Sequence, residues 1–346
     1  MLWEGGTDMM QNTDKKILVL GSTGAMAVYL IPELLKKGYS VVGVSLDEAK
    51  SNNEKLTYIK ADAKDFDFLT KLLESGFDAI VDFMVYNKLE IFEKYYNLFI
   101  KNTNHYIFLS SYRVYADDSP LSETSKRLLD VEKPADFVTE LEYSIYKAEE
   151  EDFINNSDYK NYTILRPAIT YSKRRFQLVT LEADVLVWRM LQGKTVVLPK
   201  SAMEKEATMT WAGDVAKMIA SLVLNPEAFG ETYNVSTSEH RKWKDVAKIY
   251  EKIANLKYII ADDRDYIDIL GYDFAKQQLF YDRCFDRVVD NSKILSICNM
   301  NREELMSLEE GLSMEYKNIT LDQVRCNPPI NERMDKYLES IGVELH

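Results

Sequence analysis

The sequence contains few of the residues that metal sites and disulfide frameworks require. Three of its 346 residues are cysteine and three are histidine. Cys284, Cys298 and Cys326 form no Cys-x-x-Cys pair, and no histidine clusters with them. We therefore expect neither a disulfide framework nor a bound metal ion, and we expect a reducing compartment, the cytoplasm.

Long apolar runs and an excess of positive charge are also absent. No run approaches the roughly 20 apolar residues that cross a bilayer, and residues 1–14 lack the apolar segment of a signal peptide. The 43 basic and 56 acidic residues give a net charge of −13, whereas contact with a nucleic-acid backbone requires a basic face. We expect no membrane and no nucleic acid among the partners.

A glycine-containing turn is the most informative feature that is present. The apolar residues 17–20 lead directly into Gly21-Ser22-Thr23-Gly24-Ala25-Met26-Ala27, and residues 28–37 have a helical pattern. The first glycine permits a tight turn, the second lets the backbone approach phosphates, and the small third residue lets the helix pack on the strand. The helix N-terminus attracts an anion. The pattern predicts a dinucleotide pyrophosphate site, although any doubly wound protein could use the same turn structurally.

Strands and helices alternate through the first half of the chain, which predicts a Rossmann-type, doubly wound α/β fold with a parallel sheet. After Arg166-Pro167 the alternation weakens. There we expect a helix at 179–191, strands near 195–198 and 232–235, a helix at 243–254, and irregular structure from Asp262. We predict a loose arm at 1–14, a dinucleotide-binding domain at 15–170 plus about 205–238, and a smaller interleaved α/β substrate region at 171–204 plus about 239–346.

Hydroxyl and amine side chains follow where a parallel sheet places its chemistry. A strand is predicted at Tyr106–Ser110, and at its end Ser110 and Ser111 could bind a substrate oxygen or cap a turn. Tyr143 and Lys147 are spaced to share one face of a helix, and an ammonium beside a phenol stabilises the phenolate for acid–base chemistry. The same spacing recurs at Tyr272 and Lys276, so position in the fold has to distinguish the two pairs.

These segments together resemble the extended short-chain dehydrogenase/reductase superfamily, the group of NAD-dependent epimerases and dehydratases. The similarity also includes some likeness to the chloroplast stem-loop-binding protein branch. The matching segments are Gly21 to Ala27, Lys60-Ala-Asp62-Ala-Lys-Asp65, Phe77-Asp78-Ala-Ile-Val-Asp82, Ser110-Ser111-x-x-Val114-Tyr115, Tyr143-x-x-x-Lys147, Leu165-Arg166-Pro167, Trp211-Ala-Gly-Asp214 and Val289-Asp-Asn-Ser-Lys293.

The resemblance implies an oxidoreductase-type enzyme that acts on a nucleotide sugar. Tyr143 would exchange a proton with a substrate hydroxyl, Lys147 would bind the nicotinamide ribose, and Ser111 would orient the substrate oxygen. Tyr112, Arg174 and Arg175 would contact substrate. The implied cofactor-binding residues are Gly21, Ser22, Thr23, Gly24, Ala25, Met26, Ser45, Asp62, Phe83, Lys147 and Pro167.

Several alternatives stay open at this point. Ser45 stands where an NAD enzyme usually has an acid, and Asp47 comes two residues later, so NAD is expected without excluding NADP. Epimerase, dehydratase and reductase outcomes are all compatible with the same residues. The aromatic-rich helix at 91–100 fits either a homodimer interface or the monomer core, and we expect a homodimer. The rival function is a non-catalytic dinucleotide-sensing or RNA-binding protein on the same fold.

Overall fold

A computed structural model describes residues 14–135, 137–138, 142–272 and 274–343. The predicted loose arm, apart from residue 14, lies outside these residues. So does Glu140, at which the sequence pattern places the start of a helix.

A seven-stranded parallel sheet forms the centre of the molecule, with the order β3-β2-β1-β4-β5-β6-β13. The inner strands are buried runs of mainly apolar residues, as expected for strands covered on both faces, whereas the edge strand β3 has no buried residue. This topology confirms the predicted Rossmann-type α/β fold. The strands are β1 Lys16–Leu20, β2 Ser40–Ser45, β3 Leu56–Lys60, β4 Phe77–Asp82, β5 Thr103–Leu109, β6 Tyr162–Pro167 and β13 Glu231–Val235.

Alternate side chains of each strand pack against two different helix layers, because successive side chains point to opposite faces. In β1, Ile17 and Val19 face the layer of α1, α6 and α10, whereas Leu18 and Leu20 face α2, α3 and α4. These helices are α1 Ala27–Lys36, α2 Phe66–Leu73, α3 Leu89–Lys101, α4 Tyr143–Asn155, α6 Ala212–Leu222 and α10 Ser292–Cys298.

The aromatic residues of α3 belong to the core of this chain. Phe92, Tyr95, Tyr96 and Phe99 are buried against the sheet and α4, whereas Ile91 is 44% exposed. Packing within the monomer therefore accounts for the aromatic pattern, and the homodimer stays a prediction.

The remaining elements surround a third apolar cluster beside the carboxyl ends of the sheet strands. They include two parallel pairs, β7 with β12 and β10 with β15, and two antiparallel pairs, β8 with β9 and β11 with β14. The strands are β7 Ile169–Tyr171, β8 Gln177–Leu178, β9 Leu181–Glu182, β10 Thr195–Pro199, β11 Glu206–Ala207, β12 Met209–Trp211, β14 Arg241–Lys242 and β15 Lys257–Ala261. The helices are α5 Leu186–Leu191, α7 Trp243–Ala254, α8 Asp263–Leu270, α9 Phe274–Gln278, α11 Leu308–Tyr316 and α12 Pro328–Ser340.

The predicted helix at 179–191 is wrong in its first part, where β8 and β9 form a hairpin. Val179 turns between them at φ 54°, a conformation that a β-branched residue adopts only when its surroundings hold it. Arg283 does so by donating to the Val179 carbonyl at 2.7 Å, and Thr180 contacts the Tyr266 hydroxyl at 2.6 Å. Both partners are distant in sequence, so local pattern does not reveal them.

The expectation of irregular structure from Asp262 is also wrong, because this part is mostly helical. Several of its helices are short, and short helices depend on tertiary packing more than on periodicity. Side chains mark two of their starts, since Ser307 caps α11 and Asn327 caps α12. No described helix is long and apolar enough to cross a membrane.

Candidate active site

The glycine turn between β1 and α1 is shaped for close approach of a ligand. Gly21 has φ 77°, which favours glycine. A Cβ on Gly24 would lie 3.1 Å from the Gly21 carbonyl oxygen. Helix α1 has no side-chain cap at its start, and the N–H groups of Ala25 and Met26 have no acceptor among the residues described. Unpaired N–H groups at a helix N-terminus fit the pyrophosphate of a dinucleotide.

Ser22 faces the sheet and not the mouth of the turn. Its side chain is fully buried and would lie 2.7 Å from a Cβ on Gly43 of β2. The N–H groups of Gly21 and Ser22 both donate to the Val44 carbonyl, at 2.9 and 3.1 Å. The absence of a side chain at Gly43 thus lets the turn pack onto β2. Ser22 therefore fits a supporting role for the turn better than direct contact with a cofactor.

Acidic and hydroxyl groups gather where β2 and β3 end. Thr23 donates from its hydroxyl to the Asp47 carboxylate at 2.7 Å, and the Ser45 hydroxyl donates to the Asp47 carbonyl at 3.1 Å. The Ala61 N–H donates to the Ser45 carbonyl at 2.9 Å, which brings exposed Asp62 to the same edge. Asp47 thus accepts a hydrogen bond from the glycine turn, although it is absent from the residues that the resemblance implies.

Phe83 and Pro167 lie at the carboxyl ends of two other strands. The Phe83 N–H donates to the Leu20 carbonyl at 3.3 Å, immediately before the glycine turn. A Cβ on Gly21 would lie 3.4 Å from Phe83 Cβ. Pro167 ends β6 beside Val235 of β13. Both predicted residues thus lie on the sheet edge where open α/β proteins bind ligands.

Arg113 connects the two segments that carry Ser111 and Tyr143. The Ser111 hydroxyl accepts the Arg113 N–H at 3.2 Å, which closes a tight turn after β5. The Arg113 guanidinium lies 5.4 Å from the centroid of the Tyr143 ring and donates to Glu142 at 2.8 Å. Tyr143 is the first residue of α4 and is partly exposed. Sequence reasoning missed this arginine, whose position two residues after Ser111 was the available signal.

Lys147 is fully buried, one helical turn after Tyr143, and pairs with Glu150. Its ammonium donates to the Glu150 carboxylate at 2.8 Å and lies 4.5 Å from the centroid of the Phe108 ring. Burial of Lys147 opposes its charged form and by itself lowers the pKa. The electrostatic effects of Glu150 and then of Tyr143 are larger, so the pKa of Lys147 is raised.

Two buried acids, Glu150 and Asp82, lie within electrostatic range of the Lys147 ammonium. Burial raises the pKa of Glu150 to about 7, although Lys147 opposes the rise. Burial also raises the pKa of Asp82, whose carboxylate accepts from the Tyr106 hydroxyl at 2.9 Å and the Tyr86 hydroxyl at 3.1 Å. The sequence analysis missed both acids. Their signals were an Asp at a strand end and a Glu three residues after the lysine.

Tyr112, expected to contact substrate, is instead part of a buried ionic cluster. Its hydroxyl accepts from Arg283 at 3.1 Å, and burial raises its pKa to about 12. Buried Asp282, in a π-helical turn at Leu279–Arg283, lies 3.2 Å from both Arg113 and Arg287. Burial raises the pKa of Asp282, but the arginines outweigh it and lower the net value. The cluster thus ties the π-helical turn to Arg113, whose guanidinium lies beside the Tyr143 ring.

A cleft of about 1050 Å³ opens between the turn after β7 and the segments around α11 and α12. Lys173 and Arg174 line it on one side and Arg325 on the other. Arg175 lies 3.8 Å from Glu182, another lining residue. Tyr272, of the second Tyr-x-x-x-Lys match, also lines this cleft. The cleft has the size and mixed polarity of a small-molecule site.

The parallel sheet, with the glycine turn after its first strand, defines an α/β protein of the Rossmann type. The chain belongs to the NAD dependent epimerase/dehydratase family, whose model matches residues 17–236. It is 22% identical to the chloroplast stem-loop binding protein of 41 kDa b of Arabidopsis thaliana over 331 residues, 90% of this chain and 81% of that protein.

Solved structures with the same fold include two epimerases. The UDP-glucose 4-epimerase of Thermus thermophilus in complex with NAD is 15% identical, with a TM-score of 0.66 over 88% of this chain and 100% of that one. The UDP-glucuronic acid 4-epimerase of Bacillus cereus in complex with UDP-glucuronic acid and NAD is 19% identical, with a TM-score of 0.61 over 87% and 98%. These findings confirm the predicted family and fold.

Proposed function

We propose that the protein is an NAD-dependent enzyme of the nucleotide-sugar epimerase or dehydratase type. The observation that carries this proposal is the grouping at the sheet's carboxyl edge. Ser111 begins the turn after β5, Arg113 links that turn to Tyr143, and Lys147 lies one turn further along α4. The open N–H groups of the glycine turn lie at the same edge and would hold the cofactor pyrophosphate. When bound, NAD would supply the hydride acceptor.

The chain's own residues would manage the proton and the substrate oxygen. Tyr143 would accept a proton from a sugar hydroxyl, and Ser111 would hold that oxygen by a hydrogen bond. Lys147 would stabilise the Tyr143 phenolate by its charge. Arg113 would keep the Tyr143 ring in place, since its guanidinium is itself fixed by Glu142 and Asp282. Glu150 and Asp82 would set how much positive charge Lys147 presents.

The cleft, which Arg174 lines and connects to the glycine turn, would take the nucleotide sugar. Its cationic side chains, including Lys173 and Arg325, suit a diphosphate, and its apolar lining suits a base and sugar ring. Both structurally similar epimerases are named for a UDP-sugar, which supports a nucleotide sugar as the substrate class here.

The test combines ligand binding with turnover. We expect a thermal shift with NAD⁺, increased by one member of a panel of UDP-, GDP- and dTDP-sugars. With that sugar, Tyr143→Phe should lower turnover at least 100-fold and leave NAD⁺ affinity within about twofold, because only the proton-transfer group is removed. Tyr337→Phe, on α12 but outside the residues that line the cleft, is the matched control. Substantial turnover by Tyr143→Phe would contradict the role of Tyr143.

The similarity to a chloroplast stem-loop binding protein supports a second candidate, RNA binding on the same fold. The net charge of −13 weighs against it, since binding to a phosphate backbone depends on basic groups. A salt-dependent gel shift with a stem-loop RNA at physiological ionic strength, without any thermal shift by dinucleotides, would favour this candidate over the enzyme.

A further inference from the structure

The turn that follows β7 holds Arg174 at its tip. Ser172 and Arg175 exchange two backbone hydrogen bonds, each of 2.9 Å. The Ser172 hydroxyl also accepts the Arg174 N–H at 3.3 Å. Because this turn is closed on itself, the backbone of Arg174 has little freedom, and its exposed side chain projects from a fixed base.

Arg174 reaches back to the glycine turn at the other end of the sequence. Its guanidinium donates to the carbonyl oxygen of Thr23, the residue between Ser22 and Gly24. Burial raises the pKa of Tyr29 on α1 and of Tyr58 on β3, and the charge of Arg174 opposes both rises. The positive charge therefore lies over the glycine turn, close to α1 and β3.

Two further contacts hold α1 beside this part of the molecule. Glu315 of α11 accepts from the Tyr29 hydroxyl at 2.7 Å and from the Trp211 indole at 2.6 Å. Tyr29 and Trp211 also meet edge to face, with ring centroids 5.8 Å apart. The start of α1 is thus tied to the cleft wall that includes both Glu315 and Arg174.

No acid among the described residues neutralises the charge of Arg174. Within the described part of the chain, Arg174 has no carboxylate at ion-pair distance, whereas its neighbour Arg175 lies 3.8 Å from Glu182. The Arg174 guanidinium, bonded to the Thr23 carbonyl, and the open N–H groups of Ala25 and Met26, two and three residues after Thr23, would together offer donors to a diphosphate.

We propose that Arg174 binds the pyrophosphate of the dinucleotide cofactor, opposite the N-terminus of α1. This inference rests on the proposed function, because it needs a dinucleotide in the glycine turn, and it assigns Arg174 to the cofactor and not to the substrate diphosphate. A phosphate on the adenosine ribose of NADP offers the same chemistry. The Asp47 carboxylate, bonded to Thr23, would repel that group, so the pyrophosphate is the ligand that we favour.

The test is calorimetric or fluorescence titration of the full chain with NAD⁺, NADP⁺, ADP-ribose and adenosine. Arg174→Gln should weaken NAD⁺ and ADP-ribose at least tenfold at 50 mM salt, with a smaller loss at high salt, because a charge-assisted contact is removed. Adenosine should bind unchanged, since it has no phosphate. Arg174→Lys should recover part of the affinity, and Arg175→Gln should leave the cofactor affinity within twofold.

The outcomes separate this inference from the proposed function. If the unmodified chain binds no dinucleotide, the proposed function fails and Arg174 loses its assignment with it. If the chain binds NAD⁺ and Arg174→Gln binds equally well, the inference about Arg174 alone is overturned. A loss confined to NADP⁺ would overturn the pyrophosphate assignment, and equal losses in the Arg174 and Arg175 variants would show only a general charge effect. Unchanged melting temperatures would show that each variant is folded.

Discussion

Replacing Glu150 by glutamine should stabilise the protein at alkaline pH, even though it removes a buried ion pair. Glu150 is fully buried, and its carboxylate lies 2.8 Å from the Lys147 ammonium. Its second carboxylate oxygen has no hydrogen-bond partner among the described residues. Asp82 is a second acid within electrostatic range of the same amine. Glu150→Gln removes the desolvation cost of this carboxylate and still leaves Asp82 near the Lys147 ammonium, so the amine keeps an acidic neighbour.

The size of the effect follows from proton linkage. The pKa of Glu150 is about 7 in the folded protein, against 4.5 for an ordinary glutamate. The folded state therefore binds more protons than the unfolded state between these two values. The stability that protonated Glu150 contributes is fully present below pH 4.5 and is lost as the pH rises through 7. Between pH 5 and pH 8 the free energy of unfolding should fall by about 2–3 kcal/mol through Glu150 alone.

Urea denaturation from pH 5 to pH 8.5 measures this effect directly. At pH 5 the wild-type chain and Glu150→Gln should be similarly stable, because both carry an uncharged group at position 150. At pH 8 the variant should be more stable by about 2–3 kcal/mol. Glu332→Gln, exposed on α12, should follow the wild type throughout. A variant with the wild-type slope, or one that is less stable at pH 8, would refute the reasoning.

Two further stability predictions follow from buried contacts. Glu151→Gln should destabilise the protein by about 3 kcal/mol, because it leaves buried Arg166, now 2.8 Å from the Glu151 carboxylate, without a counter-charge. A double-mutant cycle with Arg166→Met should show strong coupling, and additive losses would contradict a direct pair. Gly311→Ala should cost about 1–3 kcal/mol by overpacking, because its Cβ would collide with the buried Tyr171 hydroxyl. Gly311→Ser should lower the free energy of unfolding by at least as much. If thermal denaturation shows that Gly311→Ala is as stable as the wild type, the Tyr171 side chain can move aside and the reasoning is wrong.

Sequence reasoning was most accurate where the chemistry is local. The sequence pattern predicts strands at 40–45 and 56–60 and a helix at 243–254, and β2, β3 and α7 have these bounds. The glycine turn and the family were also predicted, because apolar runs buried on both faces and small residues at fixed spacing are visible along the chain. The interleaved domain division and the assigned site roles stay predictions.

Other features depended on contacts between distant residues. Arg283 holds the hairpin at Val179. Arg174 bonds to Thr23, which is 151 residues earlier in the sequence. Neither contact leaves a periodic signal.

The sequence by itself thus determined the parallel sheet, the position of the glycine turn and the placement of Tyr143 and Lys147 on one helix. These depend on the spacing of neighbouring residues, which the backbone geometry of one strand or one helix converts into structure. Only the tertiary structure decided that Lys147 is buried with two acids, that Tyr112 belongs to an ionic cluster, and that Arg174 faces the glycine turn. Burial and charge pairing depend on which distant side chains the fold brings together, and no local pattern encodes that.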